Sequence, residues 1–232
     1  MKILFALDLD GVIIDSIEEC YINSSLTFHG KKTINTAEKD LFYKYRGEVG
    51  PAFEYYFLML AINSGLDIKK NMGKMISKGL IEEAKEFEFK FFENRNKTIA
   101  NDFKNWIKLN PLTDFGLLLK KKKPKNVIIV TTKNNFAAKR IISFYNIEVQ
   151  KVYGNEELKP YGSKGALLNH LMLNSTLDEI VFVDDSIKHL ATVKNKNISC
   201  YFADWGYEKY QECDKYPLAT IDLFNLYVNS KK

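Results

Sequence analysis

The sequence predicts an α/β fold, a parallel sheet with helices on both faces that is interrupted early by an all-helical insert. Three observations carry this expectation. A short apolar run begins almost at the first residue and ends in two carboxylates and a glycine, Asp8, Asp10 and Gly11. From residue 16 to residue 110 the apolar residues follow helical spacing, with no convincing strand pattern. From Val127 onward, short apolar and β-branched runs alternate with helical stretches.

The first run is Ile3, Leu4, Phe5, Ala6 and Leu7, preceded only by Met1 and Lys2, and it reads as a buried parallel strand. Asp is depleted within strands, so charges at the end of a core strand need partners, water or a metal. Gly11 permits a sharp exit from the strand. After Asp15 the pattern turns helical. Ser16 can cap, and Glu18 and Glu19 occupy the first turn, where negative charge is favoured. Leu41–Tyr45, Phe53–Asn63, Met72–Gly79 and Ile81–Asn94 read as further helices, separated by Gly65, Gly73 and Gly79. The aromatic residues of this region read as packing rather than as cofactor contacts. Pro111 opens a new segment. Asp114–Lys122 is a short helix, ended by the Lys120–Lys123 run and Pro124, and that run reads as a solvated helix end.

Strands and helices then alternate: Val127–Thr131, helix Asn135–Tyr145, Val149–Tyr153, helix Lys164–Leu173, Ile180–Val183, helix Ile187–Asn195, and Ile198–Phe202. The expected organisation is a Rossmann-like core of residues 1–15 and 111–232, split by a helical domain of residues 16–110.

Composition narrows the function. The 232 residues are 46% hydrophobic and 13% aromatic, enough for a core and against disorder. The net charge of +5, from 34 basic and 29 acidic residues, is too mild for a nucleic-acid reader but suits a small anionic substrate. Arginine, the better fork for polyanions, occurs only at Arg46, Arg95 and Arg140. Cys20, Cys200 and Cys213 form no CxxC pair and read as reduced, mostly buried thiols of a cytoplasmic protein. No signal peptide and no apolar run near ~18 residues is seen, so no membrane partner is expected. A monomer or homodimer is expected. His29, His170 and His189 share no metal-ligand spacing and read as structural or surface residues.

Three strands end in polar residues: Asp8 and Asp10, Thr131 and Thr132, Asp184 and Asp185. In a parallel sheet these ends share one rim, the edge where open α/β sheets bind ligands. Any one of them could be a helix cap; convergence of all three argues for a site. Asp8 and Asp10, two residues apart, would share a face of a regular strand. One carboxylate can attack as a nucleophile and the other can carry a proton. Crowded carboxylates also raise the affinity for Mg²⁺, which is hard and prefers oxygen.

The string DLDGVIIDS resembles the first motif of the haloacid dehalogenase-like hydrolases, VIIVTTKN the second and IVFVDDS the fourth. GSK at a helix start and the segment Trp205-Gly206-Tyr207 are similar to the phosphoglycolate phosphatase-like branch. The resemblance spans the chain and implies a Mg²⁺-dependent phosphatase acting on a small phosphorylated metabolite through an aspartyl-phosphate, phosphoglycolate being the reference substrate. It implies Asp8 as nucleophile and Asp10 as acid/base. It places Thr131 on the phosphoryl oxygens, with Thr132 and Lys133 beside it. It calls for a charge-balancing lysine, for which Lys164 and, as the alternative, Lys159 qualify. Mg²⁺ would sit on Asp8, the Asp10 backbone carbonyl and Asp185, with Asp184 the second choice to Asp185. Many members carry a further Asp where this chain has His189. The helical insert corresponds to a C1-type cap that would close over the site and exclude water. Within it Arg46, near Gly47 and Gly50, is either a contact for an anionic substrate group or an exposed loop arginine. The acid/base at Asp10 argues for phosphate-ester chemistry, since dehalogenase members lack an Asp there. Two other readings stay open: a phosphomutase of the same fold (β-phosphoglucomutase-like), and a non-catalytic binding or regulatory protein that keeps the fold.

Overall fold

The opening apolar run becomes the middle of the sheet. In a computed structural model that describes residues 2–31, 35–77, 79–209, 215–220 and 223, β1 (Ile3–Leu7) is buried along its whole length. Among the described residues it centres a five-stranded, all-parallel sheet with β2 (Val127–Val130), β3 (Lys151–Tyr153), β4 (Glu179–Asp184) and β5 (Ile198–Phe202). The order is β3-β2-β1-β4-β5, so the three strands with polar ends are adjacent. Leu7 pairs with Val183 on one side and with Ile129 on the other. That register sets Asp8 level with Asp184 and one step short of Thr131.

The chain divides into two compact units, Met1–Asp15 with Leu112–Lys232, and Ser16–Pro111. The second holds α1 (Ile17–His29), α2 (Thr36–Tyr45), α3 (Ala52–Asn63), α4 (Ile68–Ser77) and α5 (Ile81–Trp106). Its core is aromatic, with Phe42 against Tyr55 and Tyr55 against Phe91 in edge-on pairs 5.8 and 5.4 Å apart. Helix α2 starts well before Leu41 because the Asn35 side chain accepts from the amides of Ala37 and Glu38. Ser16 stands at the start of α1 but makes no capping hydrogen bond; its hydroxyl lies 3.7 Å from the Cys20 sulfur.

The larger difference is α5. The apolar periodicity ends near Asn94, yet the helix continues to Trp106 with one local break at Asp102. Phe91, Arg95, Ile99 and Trp106 carry the buried face onward, and a charged residue within that face interrupts the hydrophobic pattern. Arg95 is tolerated there because its Nε and Nη2 donate to the two Glu19 carboxylate oxygens at 2.8 and 2.7 Å. The Trp106 indole donates to the same carboxylate at 3.2 Å, and the guanidinium stacks 4.5 Å over Phe91.

In the sheet unit, α6 (Asp114–Lys122) is capped by the Thr113 hydroxyl and ends at Lys123 in a left-handed conformation. The Lys120–Lys123 side chains are exposed. Next come α7 (Asn135–Tyr145), α8 (Asn155–Leu158), α9 (Lys164–Leu173) and α10 (Ile187–Leu190). Leu167 and Leu168 of α9 pack against Leu4, Ile128, Ile180 and Phe182 of the sheet. β3 is shorter than Val149–Tyr153, and α10 stops at Leu190 rather than Asn195. The Thr192 hydroxyl donates to the His189 carbonyl at 2.6 Å and accepts from Gly165 N at 2.9 Å, which turns the chain onto the start of α9. Cys20 and Cys200 are free thiols, the first buried and the second half-buried; Cys213 lies outside the described residues. Among the described residues no helix is long and apolar enough to cross a membrane.

Removing one member of a buried, hydrogen-bonded ion pair strands the other in a dry site. Arg95→Met is therefore expected to lower stability by about 3 kcal/mol or more in urea unfolding, and adding Glu19→Leu to recover part of it. A loss within about 0.5 kcal/mol for the single variant, the size of a surface substitution, would contradict this assignment.

Candidate active site

Asp8 emerges from β1 into a place set by backbone bonds. Its amide donates to the Val183 carbonyl at 2.9 Å, and its Oδ1 accepts from Leu9 N at 2.7 Å. Its Oδ2 lies 2.7 Å from Lys164 Nζ, and the same ammonium lies 2.7 Å from Asp184 Oδ2. Lys164 is the first residue of α9, whose start is fixed by the Ser163 hydroxyl accepting from Ala166 N at 3.1 Å. Its side chain is 1% exposed, so the two carboxylates share one buried cation. Lys159, the alternative lysine, is exposed on the turn after α8.

Asp184 makes further bonds. Its Oδ1 accepts from Ser186 N at 2.9 Å and lies 3.1 Å from His189 Nδ1. Thr131, buried at the end of β2, donates its amide to the Tyr153 carbonyl at 2.9 Å and accepts Lys133 N on its hydroxyl at 3.1 Å. That turn directs the Lys133 side chain inward, 0% exposed, with Nζ 2.8 Å from Asp10 Oδ1. Asp10 remains 14% exposed, and Thr132 is half-buried on the same turn.

Asp185 is held differently. Its Oδ2 accepts from Tyr207 N at 2.7 Å, and its carboxyl is wedged between two glycines. A Cβ on Gly11 would fall 2.1 Å from Asp185 Oδ2, and one on Gly206 would fall 2.2 Å from the Asp185 Cβ. Gly11 also takes φ +80°, a conformation L side chains resist. The loop carrying Gly206 is tied to the loop after β1, since Trp205 Nε1 donates to the Val12 carbonyl at 3.1 Å and its ring stacks on Phe115.

The structure thus joins Asp8, Lys164 and Asp184 directly, and Asp10 to Lys133 beside Thr131. Asp185 was expected ahead of Asp184 as metal ligand; Asp184 shares the Lys164 ammonium with Asp8, and Asp185 is held by Tyr207 N. Arg46 belongs to the helical unit, where it is buried, stacked 5.0 Å over Tyr55, with Nη1 donating to the Val49 carbonyl at 2.7 Å. Of the two alternatives read from the sequence, the exposed loop arginine is not what is found: Arg46 is packed. His189, read as structural or surface, stands on Asp184 from the helix that follows β4. His29 pairs with Glu38 at 2.8 Å, and His170 faces Asn174.

The charges are unevenly matched. Asp8, Asp10, Asp184 and Asp185 bring four carboxylates against the two ammonium groups of Lys133 and Lys164, two negative charges in excess before any on His189. Burial pushes Asp8 up to about 6, against the pull of Lys164 and with the push of Asp184. Asp184 stays below the usual carboxylate range: burial would raise it, but Lys164 and His189 outweigh that. Burial alone would lower the Lys164 ammonium, but Asp184 and Asp8 raise it. A clustered oxygen donor set with this charge excess fits a divalent cation. One oxygen each of Asp8 and Asp184 and a ring nitrogen of His189 lie within 4.8 Å of one another.

No protein-family model and no curated protein matches the sequence. Solved structures do match the fold over nearly the whole chain. A haloacid dehalogenase-like family hydrolase from Streptococcus pneumoniae is 17% identical over 98% of both chains, with a TM-score of 0.61. A protein described as a predicted phosphoglycolate phosphatase from Haemophilus somnus is 16% identical over 97% of both, with a TM-score of 0.63. One described as a predicted phosphatase from Clostridium acetobutylicum is 16% identical over 99% of both, with a TM-score of 0.62.

The wedge around Asp185 can be weighed against backbone strain alone. Gly30 also has a positive φ, +69°, but nothing within 4 Å of an added Cβ. Gly30→Ala is expected to lose about 1 kcal/mol from its backbone conformation, and Gly11→Ala at least ~1 kcal/mol more from crowding, measured by urea unfolding. Equal losses would show that Asp185 yields freely.

Proposed function

We propose that this chain, whose fold is that of the haloacid dehalogenase-like hydrolases, is a phosphatase that releases phosphate from a small phosphorylated metabolite, with Asp8 as nucleophile. The observation that carries this is Asp8 itself, a buried carboxylate at the end of the central strand whose charge is shared through Lys164 with Asp184. Phosphoryl transfer is mainly positioning and charge neutralisation, which this arrangement supplies.

In this reading an Asp8 oxygen bonds to phosphorus while the bond from phosphorus to the ester oxygen breaks. Asp10 gives its proton to the departing alkoxide, then takes one from the water that attacks the aspartyl-phosphate. Inorganic phosphate leaves and Asp8 is regenerated. The Thr131 hydroxyl binds the phosphoryl oxygens, Lys164 offsets their charge, and Lys133 fixes the orientation of Asp10. A divalent cation such as Mg²⁺, held by Asp8, the Asp10 carbonyl, Asp184 and Asp185, would neutralise the phosphoryl group and align it with the nucleophile. The helical domain, residues 16–110, is assigned the selection of substrate, and phosphoglycolate is the first substrate to try, on the descriptions of neighbours such as the Haemophilus somnus protein. Free thiols at Cys20 and Cys200 suit a reducing compartment, the cytoplasm.

The test is a panel of small phosphate esters with MgCl₂, read as free phosphate. Asp8→Asn is expected to lower phosphate release on the order of 10³-fold or more with the fold intact by circular dichroism. Full activity in that variant would rule out nucleophilic catalysis by Asp8. Chelation should silence the enzyme and added cation restore it. Lys164→Met is expected to lose both activity and about 3 kcal/mol of stability, because two carboxylates are left buried together. Lys159→Met should change neither.

A further inference from the structure

The sheet carries a groove at its other end. Leu4, Ile128 and Lys151 stand within the first two residues of β1, β2 and β3, away from the rim that carries Asp8 and Asp184. Ile128 is paired with Lys151, so both side chains face the side of the sheet on which α9 packs. β3 is the edge strand, and that face of it is only partly covered: Lys151 is exposed and Tyr153 half-buried. The result is a groove of about 620 Å³ whose apolar lining is Leu4, Ile128, Leu171, Leu177 and the Tyr153 ring. That volume lies within the roughly 300–1,000 Å³ of small-molecule sites, which combine a mainly apolar lining with a few polar groups.

Charge decides what fits. Lys151 is the one Lys, Arg, Asp or Glu among the described residues of the lining. Its ammonium stands 4.3 Å over the Tyr153 ring and makes no ion pair among the described residues. The acids nearest in sequence are engaged elsewhere: Asp178 Oδ2 accepts from Lys2 N at 2.6 Å, and Glu148 lies 3.2 Å from Lys123 Nζ. The side-chain amides of the lining donate within the protein, Asn174 Nδ2 to the His170 carbonyl at 2.8 Å and Gln150 Nε2 to the Lys125 carbonyl at 3.2 Å. We propose that this groove is a second ligand site, separate from the phosphatase centre, and that it takes a small aromatic anion, with its rings on the apolar lining and its acidic group on Lys151. The rings gain from burial against Ile128 and from an offset contact with Tyr153. The acidic group gains from a cation that no carboxylate of the protein neutralises. A compact polyanion such as a sugar phosphate is a poor occupant, since it has no apolar surface for the lining and meets a single ammonium.

The probe is 8-anilinonaphthalene-1-sulfonate, an aromatic monoanion, titrated into the full-length folded protein and read by its fluorescence. N-phenyl-1-naphthylamine, the same ring system without the sulfonate, serves as the neutral control. Two variants at exposed positions separate the terms, each checked for an intact fold by circular dichroism: Lys151→Met removes the charge, and Ser175→Trp fills the groove from its wall. Wild type is expected to bind one sulfonate saturably and more tightly than the neutral control. Lys151→Met should weaken the sulfonate about fivefold and leave the neutral control unchanged. Ser175→Trp should remove saturable binding of both. No saturable binding to wild type would overturn the site. So would sulfonate binding that Ser175→Trp leaves intact, which would place the probe on another apolar patch. Equal affinity for both probes, or a sulfonate affinity indifferent to Lys151→Met, would overturn the anion preference. None of these outcomes bears on the phosphatase reading, which Asp8→Asn tests by phosphate release.

Discussion

One ammonium group between two carboxylates, in a place almost without water, is the interaction on which the rim of the sheet depends. Lys164 reaches both Asp8 and Asp184 at 2.7 Å, and each of the three is nearly sealed from solvent. Buried charge of this kind is stable only when every member is paired and hydrogen-bonded. The surroundings meet that demand with backbone donors: Leu9 N on Asp8 and Ser186 N on Asp184. Those donors are local, and the carboxylates themselves meet because β1 and β4 are neighbours in register, so that chain segments about 176 residues apart end side by side. The sheet is thus less a scaffold beneath the charges than the condition for their coexistence.

The same logic governs the helical unit with opposite bookkeeping of purpose. There Arg95 and Glu19 form a bidentate pair within an aromatic core, braced by Trp106 and Phe91. Nothing in that pair's surroundings points to chemistry; the charges close on each other without remainder. At the rim they do not close, and that surplus of negative charge is the ground on which a cation and a phosphoryl group are proposed there.

Much of this was legible in the sequence, for identifiable reasons. The core strands are continuous apolar runs because both faces of the sheet are covered, and their polar ends stand out against that background. Asp8, Thr131 and Asp184 could therefore be found by eye. Pairing could not. That Lys133 turns inward to Asp10, or that Tyr207 N holds Asp185, depends on loops whose paths carry no periodic signal. Which of Asp184 and Asp185 meets Lys164 was hidden for a related reason: adjacent residues leave a strand on opposite sides, and sequence alone does not say which side faces the lysine. Helix α5 was read short because Arg95 replaces an apolar residue in its buried stripe, an exchange visible only once Glu19 is known to lie opposite. The burial of Arg46 was equally invisible, since it rests on the Tyr55 ring, which lies on a different helix.

Asp185 carries a consequence for assembly. Its side chain is clasped by Gly11, near the beginning of the chain, and by Gly206 and Tyr207, beyond the last strand of the sheet. During synthesis β1, β2 and β4 can all exist before residues 205–207 leave the ribosome. Until then the loop after β1 lacks its Trp205 contact, and Asp185 lacks the Tyr207 amide that holds it. The seat of Asp185 is consequently completed late, so an unfinished polypeptide could pair Asp8 and Asp184 with Lys164 while Asp185 still lacked its holder.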